Sequence, residues 1–96
     1  MSVEIRSLLT RRPRHGKGIL AQEADGVVLL LNLDSGRYYS LNESGGRIWS
    51  LCDGHRSGTE IAHRLADHYG GSVADLEVDV ATLMRDLAHE KLLLDY

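Results

Sequence analysis

The chain has 96 residues, 43% of them hydrophobic and 26% charged, and a formal net charge of −3. This length allows one small domain, and this composition excludes disorder along the whole chain. A single cysteine excludes an intramolecular disulfide, and no apolar run is long enough for a signal peptide or a membrane span. We therefore expect a cytoplasmic protein that does not insert into a membrane.

The N-terminal segment differs from the rest of the chain in charge. Residues 1–18 carry five basic side chains and one acidic one, whereas residues 19–96 carry six basic and thirteen acidic ones. A basic segment of this kind is typical of a solvated, poorly ordered tail, and contact with nucleic acid or an acidic partner is the alternative. We predict a flexible arm over residues 1–16 and a single domain over residues 17–96.

Two turn signals divide the next part of the chain into strands. Asp25-Gly26 is a pair favoured in two-residue hairpin turns, and residues 34–36, Asp-Ser-Gly, form a turn that is one residue longer. The predicted strands are residues 19–24, 27–33 and 37–41. They form an antiparallel meander whose middle strand is apolar without clean alternation, as expected for a strand that is paired on both sides.

Three helices are predicted after the strands. Asn42 is suited to cap the first helix, and Ser57 with Glu60 forms a capping box for the second. The third helix begins within residues 72–75 and has an apolar stripe at helical spacing: Leu76, Val80, Leu83 and Leu87. Strands grouped before helices predict an α+β fold, and three helices with a hairpin resemble a winged helix-turn-helix. Residues 92–94 are expected to close the chain as a short extended segment or a last turn.

Several residues that often carry chemistry are assigned structural roles. The five histidines lack the spacing of zinc ligands, and Cys52 lies on the apolar side of its helix, where cysteine packs as a small hydrophobe. Gly45 and Gly46 lack the Lys-Ser/Thr of a phosphate loop and are expected to let the helix pack closely against another backbone. We predict no catalytic residue, no metal site and no cofactor.

The third predicted strand, residues 37–41, is an edge of the meander. An edge exposes unpaired N–H and C=O groups, which proteins usually protect with lysine, proline or a bulge, and this strand has neither lysine nor proline. Alternation places Tyr39 on the inner face with Leu41, and Tyr38 on the outer face with Ser40. Two interpretations remain open: ordinary strand residues, or an edge that accepts an extended peptide against a helix.

The last predicted helix argues against DNA binding. A recognition helix is usually basic, because phosphate contacts supply much of the affinity for DNA. This helix instead carries more acidic than basic side chains: Asp75, Glu77, Asp79, Asp86 and Glu90 against Arg85 and Lys91. A DNA-binding winged-helix regulator is therefore kept only as an alternative, and no nucleic-acid partner is predicted.

An ordered set of short motifs resembles the family of PqqD-like proteins, also called precursor peptide recognition elements of ribosomally synthesised and post-translationally modified peptides (RiPPs). The motifs lie within residues 30–54, 57–70 and 79–93. They are a Leu-Asn pair entering a helix, an Ile-Trp pair, an Asp-Gly pair, a Ser-x-x-Glu-Ile helix start, and Asp-Val followed by leucines and a final Leu-Leu. The family usually has glycine before that Leu-Leu, where this chain has Lys91.

The resemblance implies that residues 17–96 form a leader-peptide-binding domain without catalytic residues. Such a domain binds the leader segment of a precursor peptide as an added strand, against its third helix, and presents it to an enzyme. The Gly-Arg-Tyr-Tyr strand is most similar to the stand-alone leader-binding half of split lasso-peptide maturation proteins, which implies a leader peptidase as the partner. The pyrroloquinoline quinone pathway, with a radical enzyme as the partner, is the alternative within the family.

The implied site lies between the third strand and the last helix. Its expected peptide-binding residues are Arg37, Tyr38, Tyr39, Ser40, Leu41, Leu76, Asp79, Val80, Leu83 and Asp86. On the helix, Met84 is the alternative to Asp79, Leu83 and Asp86, because both flanks of the apolar stripe are open choices. The acidic side chains favour a leader with lysine or arginine and a salt-sensitive association rate. A monomer or a weak homodimer is expected.

Overall fold

The computed structural model describes residues 2–94 of the chain. The helices are α1 (Val3–Leu9), α2 (Glu43–Leu51), α3 (Gly58–Tyr69) and α4 (Val73–His89). The strands are β1 (Arg14–His15), β2 (Ile19–Ala24), β3 (Val27–Asn32), β4 (Tyr38–Leu41) and β5 (Leu93–Leu94). The predicted α+β fold, with a three-stranded antiparallel sheet followed by helices, is confirmed. Within residues 2–94, no helix has both the length and the apolar character needed to cross a membrane.

The main sheet has the order β2-β3-β4, so β3 is paired on both sides, as predicted. β3 ends at Asn32 and β4 begins at Tyr38, each one residue inside the prediction. The reason is the Asn32 side chain, whose Oδ1 accepts hydrogen bonds from the backbone N–H groups of Asp34 at 2.9 Å and Ser35 at 3.3 Å. These two bonds close the turn after Asn32 and end the pairing of β3 with β4.

The helices begin where capping chemistry predicted them. The side chains of Asn42, Ser57 and Ser72 each accept a hydrogen bond from a backbone N–H in the first turn of α2, α3 and α4. Ser57 and Glu60 form the complete capping box. The Ser57 backbone N–H donates to the Glu60 carboxylate, and this hydrogen bond holds the pKa of Glu60 below its usual value.

The core lies between the inner face of the sheet and the helices. Its largest fully buried side chains include Leu30 from the sheet, Ile61 and Leu65 from α3, and Leu87 from α4. α2 packs so closely that a Cβ on Gly46 would lie 2.6 Å from Cγ2 of Val28. Gly46 thus lets the helix lie close to the sheet, against the Val28 side chain rather than against a backbone.

The N-terminal segment differs from its prediction. Over residues 2–16 the chain is not a poorly ordered arm: Leu8 and Leu9 of α1 are buried against Ala81 of α4. β1 then pairs antiparallel with β5, which places His15 opposite Leu93. The charge count indicated a tail, but the apolar pair at the end of α1 anchors the segment on the helices. Met1, Asp95 and Tyr96 lie outside the described residues.

The turn after α4 contains Lys91, the residue that stands where the resembled family pattern has glycine. Lys91 has a φ of 60°, in the left-handed region that favours glycine. The Leu92 N–H donates to the Leu87 carbonyl at 2.8 Å and the Lys91 N–H donates to the Ala88 carbonyl at 3.0 Å, which together form a Schellman motif. Lysine therefore keeps the turn that glycine would make, but in a strained conformation.

We expect Lys91→Gly to stabilise the protein by about 0.5–1 kcal/mol. Relief of the left-handed strain is worth about 1–2 kcal/mol, and the greater freedom of glycine in the unfolded chain offsets about 0.4–1 kcal/mol of it. Equilibrium unfolding in urea measures the difference. Lys91→Ala is the control, because it removes the charge and keeps the Cβ; equal stability of the two variants would contradict the strain argument.

Candidate functional site

The free side of β4 is an unpaired sheet edge. β4 lies at the end of the sheet, and no backbone group within residues 2–94 pairs with its outer side. The Asn32 N–H donates to the Arg37 carbonyl at 2.9 Å, which fixes the alternation of the antiparallel ladder. Tyr39 therefore directs its N–H and C=O toward β3, whereas Tyr38 and Ser40 direct theirs away from the sheet.

An open groove lies between this edge and α4, and we call it the β4–α4 groove. It consists of two adjoining depressions of about 390 and about 440 Å³ that share Asn42, Gly45 and Leu83 in their walls. β4 contributes Tyr39, Ser40 and Leu41 to the lining. The edge and the groove together leave room for an extended chain beside β4.

α4 forms the opposite wall and runs antiparallel to β4. Asp79, near the middle of α4, lines the groove together with Asn42, which follows β4. Glu90, just after α4, makes an ion pair of 3.1 Å with Arg37, which precedes β4. Each end of β4 therefore lies beside a different acidic side chain of the helix wall.

The structure brings Asp79, Leu83 and Asp86 into the groove, together with Thr82. The alternative prediction was Met84, on the other flank of α4. It does not line the groove, because its side chain is 1% exposed and packs in the core. Its sulfur lies close to α3, where a Cβ on Gly58 would come within 3.0 Å of it. The packing of α1 and α3 on one flank of α4 leaves the other flank open toward β4.

Two predicted binding residues do not line the groove. Val80 is completely buried in the core, so its side chain is not available to a ligand. Leu76 is partly buried against the same core and is absent from the groove walls. Both belong to the apolar stripe of α4, which packs on the core because amphipathic helices bury that face. Within the stripe, Leu83 also borders the groove.

The start of α2 supplies part of the site that sequence reasoning missed. Asn42, Ser44, Gly45 and Ile48 line the groove between the end of β4 and α4. Asn42 also caps α2, with its Oδ1 accepting from the Gly45 N–H at 2.9 Å. The direct passage from strand to cap was visible in the sequence, and it is the signal that could have placed the first turn of α2 beside the strand edge.

The two tyrosines of β4 are divided as predicted. Tyr38 is 75% exposed on the outer face of the sheet. Tyr39 is half-buried, lies opposite Leu30 and packs against the core. Leu41 is almost completely buried, so it offers backbone and a small part of its side chain to the groove. Tyr39 thus supports the edge, and Tyr38 remains accessible beside it.

The groove is more acidic at one end than at the other. Asp79 has no ion-pair partner among the described residues, whereas Asp86 lies 3.6 Å from the Arg85 guanidinium. Beyond Asp86, the Arg37–Glu90 ion pair has no net charge. The end near Asp79 is therefore the better environment for a cationic side chain of a ligand.

Cys52 does not belong to the groove. Its side chain is completely buried in the core, as predicted, and its Sγ donates to the Ile48 carbonyl at 3.2 Å. Burial, with a smaller contribution from the charge of Asp53, raises the pKa of the Cys52 thiol to about 12. The thiol is therefore protonated near neutral pH and is not a nucleophile in the folded state.

Comparison with known proteins connects this arrangement to one family. The family model described as Coenzyme PQQ synthesis protein D (PqqD) matches residues 28–93. The fold is similar to TbiB1 in complex with the TbiA(beta) leader peptide, with 30% sequence identity, a TM-score of 0.78, and 86% of this chain and 96% of that chain covered. It is also similar to a lasso peptide synthetase B1 complexed with its leader peptide, with 26% identity, a TM-score of 0.77, and 86% and 98% of the two chains covered.

A third similar structure is the PqqD truncation of Methylobacterium extorquens PqqCD, a stand-alone RiPP recognition element. It shares 24% identity and a TM-score of 0.72, covers 85% of this chain and 87% of that chain, and supports the fold alone. No curated protein sequence matches the chain significantly. The first two similarities concern proteins whose structures were determined with a leader peptide bound.

Proposed function

Because the chain belongs to the PqqD family, we propose that it binds the leader segment of a ribosomally synthesised precursor peptide as a fourth strand on β4. The observation that carries the proposal is the unpaired edge at Tyr38 and Ser40, which faces α4 across the β4–α4 groove. Main-chain hydrogen bonds to that edge supply affinity and register, and the groove selects alternate side chains of the peptide.

The groove walls indicate which side chains a bound leader places there. Leu83 offers apolar contact in the middle, and Asp79 offers a carboxylate near one end. A leader with an apolar residue and a nearby lysine or arginine fits this combination. The binding residues are therefore proposed as Arg37, Tyr38, Tyr39, Ser40, Leu41, Asp79, Leu83 and Asp86, with Asn42, Ser44, Gly45, Ile48 and Thr82 added from the structure.

Delivery of the leader to a peptidase of lasso-peptide biosynthesis is the more specific part of the proposal. It is supported by the similarity to TbiB1 and to the lasso peptide synthetase B1, which exceeds the similarity to the PqqD truncation. In this role the domain itself is non-catalytic and supplies binding. Delivery to a radical enzyme of pyrroloquinoline quinone biosynthesis remains the alternative within the family.

Titration of the purified chain tests the proposed function. The probes are synthetic leader peptides of candidate precursor genes from the same genome and, separately, a duplex DNA of mixed sequence. We expect saturable binding of one leader, measured by fluorescence anisotropy, and no comparable binding of the duplex. Salt-dependent duplex binding without binding of any tested leader would contradict the proposal and favour a DNA-binding regulator.

Separate substitution of the two tyrosines tests their different roles. Tyr39→Ala is expected to lower the free energy of unfolding by about 2 kcal/mol, because it removes a half-buried aromatic side chain from the core. Tyr38→Ala is expected to change stability by less than about 0.5 kcal/mol and to weaken leader binding about fivefold, through loss of a cross-strand contact. Urea unfolding and anisotropy on both variants measure these effects. The reverse assignment, with Tyr38 the more destabilising site, would contradict the division.

A further inference from the structure

The outer face of the main sheet, opposite the core, is not covered by any element within residues 2–94. Strand register places its side chains in two cross-strand rows, Leu20–Leu31–Tyr38 and Gln22–Leu29–Ser40, with Ala24 and Val27 beyond them. We call these eight residues the outer sheet face.

The outer sheet face is mostly apolar and carries no charged residue, although it is solvent-exposed. Leu20 is 56% exposed, Leu29 is 46% exposed and Tyr38 is 75% exposed. None of its eight residues is charged, in a chain in which 26% of residues are charged. Exposed apolar surface of this kind, next to polar surroundings, is typical of a protein interaction site.

This face is continuous with the proposed peptide edge. Val27 and Ser40 belong to the outer sheet face and also line the β4–α4 groove. A strand added to β4 points alternate side chains into the groove and onto the outer face, because side chains alternate along a strand. Peptide binding therefore extends each cross-strand row by one peptide side chain, next to Tyr38 and Ser40.

The size of the outer sheet face argues against a second copy of the chain as its partner. Three strands of this length cover about 14 Å by about 20 Å, roughly 300 Å². A stable interface needs about 800 Å² from each partner, so the bare face is too small to hold a second copy of the chain in a stable dimer. A fourth strand enlarges the face by about one third, to roughly 400 Å², and adds residues that belong to the peptide. An area of this size suits a transient contact with an enzyme rather than a permanent complex.

We propose that the outer sheet face, extended by the bound leader, is the docking surface for the enzyme that acts on the precursor peptide. This inference rests on the proposed function. The enzyme meets a composite surface, with Leu20, Leu29 and Tyr38 from the domain and alternate residues from the leader. It therefore binds the complex more tightly than either component, so that an empty domain does not occupy the enzyme.

The test uses the double variant Leu20→Thr/Leu29→Thr in the full chain. Threonine has a high β-strand propensity, and these substitutions remove apolar surface from the outer sheet face only. Val78→Thr is the matched control, because Val78 is an exposed apolar residue of α4, 39% exposed, outside both surfaces. The probes are the synthetic leader that the unsubstituted chain binds and a purified leader peptidase of lasso-peptide biosynthesis from the same organism. The affinity of the immobilised peptidase for the chain is measured with and without leader.

We expect the double variant to bind leader within twofold of the unsubstituted chain, which also shows that it is folded. Its affinity for the enzyme in the presence of leader should fall at least tenfold, whereas Val78→Thr should leave it unchanged. In the unsubstituted chain, leader should raise the affinity for the enzyme at least tenfold.

Three results would overturn the inference while leaving the proposed function intact. They are enzyme recruitment by the double variant at the normal level, enzyme affinity that is independent of leader, and a dimer of the unsubstituted chain in sedimentation that the double variant lacks. Absence of leader binding by the unsubstituted chain would overturn the proposed function and this inference together.

Discussion

Ser40→Pro is expected to weaken leader binding at least about 100-fold while the domain stays folded. The Ser40 N–H points away from the sheet, so proline removes no hydrogen bond of the β3–β4 ladder. It does remove a donor to the incoming strand and places its ring against it. One lost hydrogen bond and one peptide carbonyl left unsatisfied together account for about 3 kcal/mol.

The opposite edge of the same sheet provides the control. The Leu33 N–H donates to the Gly18 carbonyl at 2.9 Å, and alternation from this bond directs the Ala21 N–H away from β3. Ala21→Pro therefore introduces the same ring on the same kind of edge position, on the strand that the proposal leaves unoccupied. It should alter stability about as much as Ser40→Pro and leave leader affinity within about twofold.

Circular dichroism and urea unfolding establish that both proline variants are folded, and anisotropy with labelled leader gives their affinities. Equal loss of binding in both variants would mean that proline acts through sheet stability. Normal binding by Ser40→Pro would mean that the leader does not add to β4. Only the second result would require a different binding surface, whereas loss of binding in Ser40→Pro alone supports strand addition.

Local chemistry was sufficient to predict most of the fold. The Asp-Gly turn at residues 25–26 and the caps at Asn42 and Ser57 act within a few residues of themselves, so short sequence patterns determine them. The division of Tyr38 and Tyr39 follows from alternation along a strand, which is equally local. These features were confirmed because little in the tertiary structure competes with them.

The features that sequence reasoning missed depend on contacts between distant segments. α1 is held by Leu8 and Leu9 against Ala81, and the basic charge of residues 1–18 gave no indication of this packing. The same packing decides which flank of α4 is free, because α1 and α3 cover the side that holds Met84. The sequence showed an apolar stripe on α4 and left both flanks open, and only the position of the other helices distinguishes them.

The contribution of α2 to the groove has the same origin. Ile48 and Ser44 reach the site because α2 follows β4 without a loop and turns across its end. A helix start that is also a binding wall couples stability to recognition, since Asn42 both caps α2 and lines the groove. Substitutions at Asn42 are therefore expected to affect both stability and leader binding. A pair of residues that affect stability equally but binding differently is more informative.

Leu83 and Leu76 form such a pair. Both are partly buried leucines of α4 that pack against the core, but only Leu83 lines the β4–α4 groove. Leu83→Ala and Leu76→Ala should each lower the free energy of unfolding by about 1–2 kcal/mol, because each removes a half-buried side chain from the core.

Their effects on leader binding should differ. Leu83→Ala is expected to reduce affinity about tenfold, because the apolar centre of the groove loses side-chain area that an apolar leader residue would cover. Leu76→Ala is expected to leave affinity within about twofold, although Leu76 belongs to the same apolar stripe. Urea unfolding and anisotropy of both variants at one salt concentration measure the two quantities. A larger loss of affinity in Leu76→Ala than in Leu83→Ala would place the leader elsewhere on α4 and would refute the groove as the binding site.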